Sequence, residues 1–166
     1  MLHPTTMATS NLQSKLHDLY TVIQNLSPSS SDIEFDKFGT FFVPDGKAYL
    51  KNMREYDQPA KGREKIIQKL KEIMTEKHWL ITDRQVLSSS VTSDGSRVFC
   101  ETRKRLLVCG EPVDPFYETE VAIFDDQGFI EELRLYSCWS PVASVIQQVT
   151  GKGPYAVADY KAKPEN

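Results

Sequence analysis

The chain has 166 residues, 40% of them hydrophobic, which is enough to bury one sizeable core. Its 20 basic and 23 acidic residues leave a net charge of -3, which argues against attraction to nucleic acid or to an anionic membrane. The sequence contains no apolar run long enough to span a bilayer. These totals predict a single soluble domain.

The cysteines bear on the cellular compartment. Cys100, Cys109 and Cys138 are odd in number and form no CxxC pair, and the first residues lack the apolar stretch of a secretion signal. Free cysteines of this kind are typical of a reducing environment. We therefore expect a cytoplasmic protein.

The first predicted helix follows residues 1–9, which show no periodicity and are expected to be a disordered N-terminus. Ser10 and Gln13 have the pattern of a capping box at the helix start, and the helix ends at about Pro28. Apolar side chains recur in between at helical spacing and form one buried stripe: Leu12, Leu16, Leu19, Tyr20 and Ile23.

Two more helices are predicted before the main strands begin. Aromatic residues in 35–42 indicate a short helix that stops before Pro44, and the sequence KAYL at 47–50 favours a short strand. Residues 51–61 are predicted as a loop. The third helix spans about residues 62–77, with an apolar stripe on one side and a basic, solvated face on the other.

From Trp79 onward the pattern is one of strands and turns. Four strand segments follow one another: ITDRQVLSSSV, RVFCETRKRLLV, PFYETEVAIF and GFIEELRLYSCW. Because helices and strands are segregated, we predict an α+β fold in which three N-terminal helices pack on the concave face of a curved antiparallel sheet. The domain is expected at residues 10–151, ending in a short amphipathic turn, with an extended C-terminal tail at 152–166.

The third strand segment has two chemically different faces. Glu118 and Glu120 share one face, because side chains alternate along a strand. The other face is more apolar and carries Tyr117, Thr119, Val121 and Ile123. If the carboxylates point outward, this is an ordinary half-exposed strand. If they point inward, they lie in an apolar bowl beside Phe116, Leu133, Leu135, Ser137 and Trp139.

The length of the hairpin loop at Gly110 determines which face of the neighbouring strand turns inward. An even loop turns Glu101 and Arg103 inward beside the two carboxylates, and an odd loop turns them outward. We favour the inward arrangement. The outer face then becomes the more apolar one and predicts a homodimer surface. Its members would be Tyr117, Val121, Ile123, Val98 and Cys100.

Three sequence stretches carry a resemblance to a known family: GREKI at the third helix, FDDQGFIEELRLY in the last hairpin, and VIQQVTG near the C-terminus. In this order they resemble the nuclear transport factor 2-like (NTF2-like) superfamily, and within it SnoaL-like polyketide cyclases and fungal SnoaL-like isomerases of secondary metabolism. The resemblance implies a cone-shaped α+β barrel whose mouth binds a small hydrophobic molecule. It also implies catalysis without a metal or organic cofactor.

A second resemblance, to ketosteroid isomerases, rests on FDDQGFI in the last hairpin. It implies that Glu120 is the pocket carboxylic acid and that Tyr20 is the pocket tyrosine. The isomerases' general base falls at about Leu50, where this chain has no carboxylate. An acid found near the end of the last strand in many SnoaL-like proteins is also missing, since that neighbourhood is Tyr136-Ser137-Cys138-Trp139.

These residues predict acid-base chemistry on an enolisable carbonyl compound, of the polyketide type. Burial raises the pKa of a carboxyl group, a second carboxylate raises it further, and a neighbouring arginine lowers it. Glu120 with Glu118 or Glu101 is expected to move protons, while Arg103 and Tyr20 stabilise an oxyanion. Five side chains are expected to hold the substrate rings: Tyr49, Phe116, Leu133, Leu135 and Trp139.

Other interpretations stay open. In one interpretation, the charged residues Glu101, Arg103, Glu118 and Glu120 form a structural ion-pair ladder. Tyr20 is equally well interpreted as an ordinary core tyrosine whose hydroxyl bonds a backbone carbonyl. His78 either joins the site or caps the end of the third helix. None of the histidines has metal-ligand spacing. A non-catalytic binding or transport-adaptor module and a dehydratase remain alternatives to the isomerase or cyclase, and the substrate itself is not predicted.

Overall fold

The computed structural model describes residues 7–53, 56–77 and 79–155. The elements in chain order are α1 (Met7–Asn25), α2 (Asp32–Gly39), β1 (Phe42–Tyr49), β2 (Ala60–Lys61), α3 (Arg63–Lys77), β3 (Leu80–Val91), β4 (Arg97–Val108), β5 (Glu111–Phe124), β6 (Ile130–Ser137) and α4 (Ser140–Thr150). The predicted α+β class is therefore confirmed. None of the helices in this part of the chain is long and apolar enough to cross a membrane.

A single six-stranded sheet has the order β2-β1-β6-β5-β4-β3. Neighbouring strands are antiparallel except for β1, which lies parallel to β6. The sheet curves around a core that the helices close, and the apolar stripe of α1 predicted from its spacing is buried there, as Leu16, Leu19 and Tyr20 show. Phe38 and Phe42 add an edge-to-face ring pair with centroids 5.3 Å apart.

Two helix predictions were wrong in detail. The capping box at Ser10 is excluded, because α1 has already begun at Met7. The capping box that the structure contains is at the start of α2, where Ser31 Oγ accepts from the Glu34 backbone N–H and the Glu34 side chain accepts from the Ser31 backbone N–H. The short turn predicted after the last strand is an 11-residue helix, α4, which ends at Gly151 with a φ of 69°.

Helix α4 lies against the sheet and buries Val142 and Ala143 in the core. The side-chain hydrogen bonds of Gln147, Thr150 and Tyr155 stay within the segment 140–155. Residues 152–155 of the predicted tail fold back onto α4 through Tyr155, and residues 156–166 lie outside the described part of the chain. The C-terminal segment is thus held to the body through its apolar face.

A bulge between β4 and β5 determines which side chains enter the core. The hairpin loop has the two residues Cys109 and Gly110, both with positive φ, so it is even, as we favoured. Leu106 pairs with Val113, but Lys104 pairs with Phe116, so β5 contains one extra residue in between. This extra residue reverses the parity of β5 relative to β4, so Glu118 and Glu120 face the same side of the sheet as Lys104.

Candidate active site

Four charged side chains form a buried cluster on the inner face of the sheet, which we call the quartet: Arg84, Lys104, Glu118 and Glu120. They come from three adjacent strands, because Arg84 lies opposite Lys104 on the β3–β4 ladder and Cys100 and Thr102 of β4 lie opposite Glu120 and Glu118. All four side chains are at least 95% buried. The quartet contains two cations and two anions, so its formal charges cancel.

Glu120 is held by both cations. Its Oε1 accepts from Arg84 Nε at 3.0 Å, and its Oε2 accepts from Arg84 Nη2 at 2.6 Å, which is the two-point contact that a guanidinium makes with a carboxylate. Lys104 Nζ lies 2.8 Å from Glu120 Oε1. Lys104 also donates to Glu118 Oε1, and therefore connects the two carboxylates.

The surroundings move the two carboxylates in opposite directions. Burial raises the pKa of Glu118, and the attraction of Lys104 offsets only part of that increase. Burial also opposes ionisation of Glu120, but Lys104 and Arg84 together outweigh it and lower the pKa of Glu120. Two carboxylates on one strand thus differ in proton affinity, which is the arrangement that separates an acid-base group from a permanently charged one.

Tyr20 of α1 covers the quartet. Its ring centroid lies 4.3 Å from Arg84 Cζ and 4.3 Å from Lys104 Nζ, so the aromatic face contacts both cations. Burial, together with the negative charges of Glu120 and Glu118, raises the pKa of the Tyr20 hydroxyl well above its ordinary value. The hydroxyl therefore stays protonated and interacts as a donor with the Glu120 side chain.

Ser137 connects the quartet to a cavity. It lies opposite Glu118 on the β5–β6 ladder and lines a cavity of about 570 Å³ at the end of β6. Its hydroxyl is close enough to Glu118 to lower the pKa of that carboxyl, although no hydrogen bond of ordinary geometry joins them. The remaining walls come from the loop after β1, from α4 and from the folded-back tail: Asn52, Met53, Tyr136, Trp139, Ser140, Ala143, Pro154 and Tyr155.

The predicted inward orientation of Glu118 and Glu120 agrees with the structure, and Tyr20 lies beside them. The prediction for Glu101 and Arg103 was wrong. Both lie on the outer face because of the bulge, where Arg103 donates to Asp114 Oδ1 at 2.9 Å and Glu101 accepts from Ser88. Neither can take the predicted part inside the bowl.

The structure places the predicted substrate-binding residues in three different environments: the outer face, the hydrophobic core and the cavity wall. Tyr49 is on the outer face, opposite Arg134 of β6, so its prediction was wrong. Three of the others face inward but pack into the hydrophobic core: Phe116, Leu133 and Leu135. Ser137 and Trp139 line the cavity. His78 lies outside the described residues.

Sequence reasoning missed both cations of the quartet. Lys104 had a detectable signal, because it is the single charged residue in the alternation Val98, Cys100, Thr102, Lys104, Leu106, whose other members are apolar or small. Arg84 had none, since it lies among polar residues on the edge strand β3 and is buried only by its partners on other elements.

No protein-family model matches the sequence, and no curated protein matches it at a significant level. Solved structures do match its fold. The epoxide hydrolase/cyclase-like enzyme SalBIII, from pyran ring formation in the polyether salinomycin, aligns with a TM-score of 0.61 at 10% identity, over 80% of this chain and 94% of its own.

Two further solved structures match the same fold, and one of them is an NTF2-like protein. An NTF2-like protein from Anabaena variabilis aligns with a TM-score of 0.57 at 19% identity, covering 83% of this chain and 95% of its own. A steroid delta-isomerase from Pseudomonas aeruginosa aligns with a TM-score of 0.55 at 15% identity, covering 85% and 88%. The protein thus has the NTF2-like cone fold that the sequence resemblance implied, a fold shared by cyclases and isomerases.

Proposed function

We propose that the protein is a cofactor-independent isomerase or cyclase that acts on a small, hydrophobic, enolisable carbonyl compound of the polyketide type. The reaction is a proton transfer at carbon next to the carbonyl group. The observation that carries the proposal is the quartet, in which one buried carboxyl has a raised pKa and its neighbour a lowered one. Such a pair supplies a proton carrier beside a fixed charge.

Glu118 is the acid-base group in this proposal. Its raised pKa brings it closer to neutral pH than an ordinary glutamate, which favours reversible protonation. Ser137 is opposite Glu118 on the β5–β6 ladder and also lines the cavity, and in this proposal its hydroxyl passes the proton to and from a bound substrate. Glu120, which the isomerase resemblance favoured as the pocket acid, instead stays ionised between two cations.

Lys104 and Tyr20 have supporting roles. Lys104 stabilises the ionised form of Glu118 and thereby sets how tightly the carboxyl holds its proton. Tyr20 keeps both cations in position through its ring, which is a positioning role. Glu118 takes the proton-transfer role that the sequence left open between Glu118 and Glu101, and Lys104 takes the place of Arg103 as the cation beside the carboxylates.

The pH dependence of proton exchange tests this assignment. We expect the protein to catalyse deuterium incorporation into the methyl group of acetophenone in D₂O, measured by proton NMR. Because the base form of Glu118 is the ionised one, the rate falls as the pH drops through its raised pKa. The midpoint is expected above the value of about 4.3 for a free glutamate.

The Glu118→Gln protein is the control for that profile, since it lacks the titrating group. It is expected to lose the acidic limb of the profile along with most of the rate. An unchanged limb in this variant, or a midpoint at the ordinary glutamate value in the wild type, assigns the titration to another group. If deuterium exchange proceeds at the same rate with and without the protein at every pH, the proposed activity is rejected.

A non-catalytic ligand-binding module is the second candidate function. The quartet favours it in one respect, because balanced, fully buried ion pairs also serve to hold a core in one arrangement. In that case the cavity beside Ser137 binds a ligand without changing it. Ligand binding without any deuterium exchange distinguishes this candidate from the enzyme.

We also propose a homodimer formed through the outer face of the sheet. Phe99, Tyr117 and Tyr136 of the three adjacent central strands are 37%, 56% and 42% exposed there. Val98 and Cys100, which were expected on this face, are inside the core instead. Three exposed aromatic rings on one sheet face are typical of an interface.

Sedimentation velocity at micromolar concentration tests the dimer. The wild-type protein is expected at twice the monomer mass, and Tyr117→Glu is expected to shift it to the monomer, because a buried unpaired charge opposes association. Leu87→Glu, on the edge strand β3 and 45% exposed, is a control that should leave the mass unchanged. A monomeric wild-type protein contradicts the proposal.

A further inference from the structure

Two buried polar atoms without a protein partner belong to residues that line neighbouring cavities. In the described part of the chain, three buried side-chain nitrogen or oxygen atoms have no hydrogen-bond partner: Trp79 Nε1, Ser137 Oγ and Arg97 Nε. The first two line adjacent cavities, whereas Arg97 is at the opposite end of the sheet. An unpaired buried donor is costly, so such atoms mark places where a ligand can bind.

The Trp79 cavity is small and mostly apolar. Its volume is about 170 Å³, and it is walled by the loop after β1, the end of α3, the end of β6 and α4, through Lys51, Ile73, Trp79, Trp139, Val142 and Ile146. A cavity of about 150 Å³ with apolar walls holds one benzene molecule. The Trp79 cavity therefore has room for a single ring. Trp79 itself is 93% buried there, with its N–H group unpaired.

Trp139 separates the two cavities. Its side chain lines both the 170 Å³ cavity and the 570 Å³ cavity that contains Ser137. A molecule bound across Trp139 reaches Trp79 with one end and Ser137 with the other. An indole N–H only donates, so the group bonded to Trp79 is an acceptor. Five of the six wall residues are hydrophobic or aromatic and the sixth is Lys51, and walls that are mostly apolar favour a neutral acceptor over a charged one.

We propose that the cleft between α3, β6 and α4 binds a small molecule that combines one apolar ring with a neutral carbonyl oxygen. The ring occupies the apolar cavity, the carbonyl oxygen accepts from Trp79 Nε1, and the rest of the molecule extends past Trp139 toward Ser137. That this ligand is the substrate rests on the proposed function, whereas its binding does not.

Two probes of similar shape isolate the carbonyl contribution: acetophenone, and ethylbenzene, which has no acceptor. The chain contains only two tryptophans, and both line the apolar cavity, so a nitrogen-proton correlation spectrum shows two indole signals that report on it. Acetophenone is expected to move both signals, and Trp79 most. It should bind roughly fivefold or more tightly than ethylbenzene, as one net hydrogen bond allows.

Trp79→Phe keeps an aromatic ring but removes the donor. In this variant the two probes are expected to bind equally well. Trp139→Phe, which leaves the Trp79 donor in place, is expected to keep the preference for acetophenone, and it serves as the second variant if Trp79→Phe does not fold. The preference should also survive in Glu118→Gln, because that residue lies outside the apolar cavity.

Three outcomes overturn the proposal: indole signals that do not move with acetophenone, equal binding of the two probes by the wild-type protein, or a preference that persists in Trp79→Phe. The fate of the proposed function is separate. Shifted indole signals without deuterium exchange retain the binding site and reject the activity. Deuterium exchange without shifted signals retains the activity and rejects this site.

Discussion

Glu118→Gln is expected to lower the rate of protein-catalysed deuterium exchange by about two orders of magnitude or more, the scale on which acid-base residues contribute. Glutamine has nearly the shape of glutamate, but its amide does not ionise in this pH range and cannot act as the base. In the variant, Glu120 keeps its 2.8 Å contact with Lys104. It also keeps its two hydrogen bonds from Arg84, so both cations still have a buried carboxylate beside them. The loss is expected in the rate rather than in the fold.

Glu101→Gln is the matched control. It makes the same chemical change one strand away, on the exposed outer face, where Glu101 accepts a hydrogen bond from Ser88. Its rate should equal that of the wild type. Exchange at the wild-type rate in a folded Glu118→Gln protein would remove Glu118 from the mechanism, and equal losses in both variants would show that the effect is not specific to the quartet.

Lys104→Met is expected to destabilise the fold by about 3 to 5 kcal/mol, because it removes one partner of a buried ion pair and leaves Glu118 without its cation. Lys104 contacts Glu118 and Glu120 and has no exposed side-chain surface. Methionine fills a similar volume, so the loss reports on charge rather than on packing. Urea denaturation followed by circular dichroism gives the free energy of unfolding.

Arg103→Met provides the comparison, since this neighbour in sequence is paired with Asp114 at 39% side-chain exposure. Exposed pairs of this kind contribute about 1 kcal/mol or less. The double variant Lys104→Met/Glu118→Gln is expected to recover part of the lost stability, because it removes a buried negative charge as well. If Lys104→Met lowers the free energy of unfolding by no more than Arg103→Met does, the quartet contributes little to stability.

Local patterns were sufficient for the main architecture. Helical spacing located α1 and α3, and alternation located the strands, because burying one face of each element imposes a period on the sequence. Alternation placed Glu118 and Glu120 on one face of β5, but it did not identify that face as the inner one, because the opposite face is the more apolar. The inward orientation followed mainly from the resemblance to the isomerases.

The composition of the site depended on a feature that periodicity does not contain. A single extra residue between Val113 and Phe116 exchanges Arg103 for Lys104 as the cation beside the carboxylates. Pro115 was the available hint, because proline within a strand is confined to edges and bulges. Without the bulge, the two-residue loop at Gly110 would place Arg103, and not Lys104, on the same face as the carboxylates.

Long-range contacts account for the rest. Arg84 is 36 residues from Glu120 in sequence, and Tyr20 comes from the first helix, so no local pattern places either beside the carboxylates. The isomerase resemblance did place Tyr20 in the pocket. Trp79 and Trp139 line one cavity together with residues of α4, a helix where the sequence had predicted only a short turn.

The apolar attachment of α4 has a consequence for temperature. Val142 and Ala143 fasten this helix to the core, and the side-chain bonds of Gln147 and Tyr155 remain inside its own segment. Contacts of this kind weaken on cooling, because the free energy of hydrating apolar surface becomes less unfavourable in cold water. The ion pairs of the quartet do not depend on that term. Low temperature is therefore expected to loosen the helical wall of the cleft before it disturbs the ion pairs of the quartet.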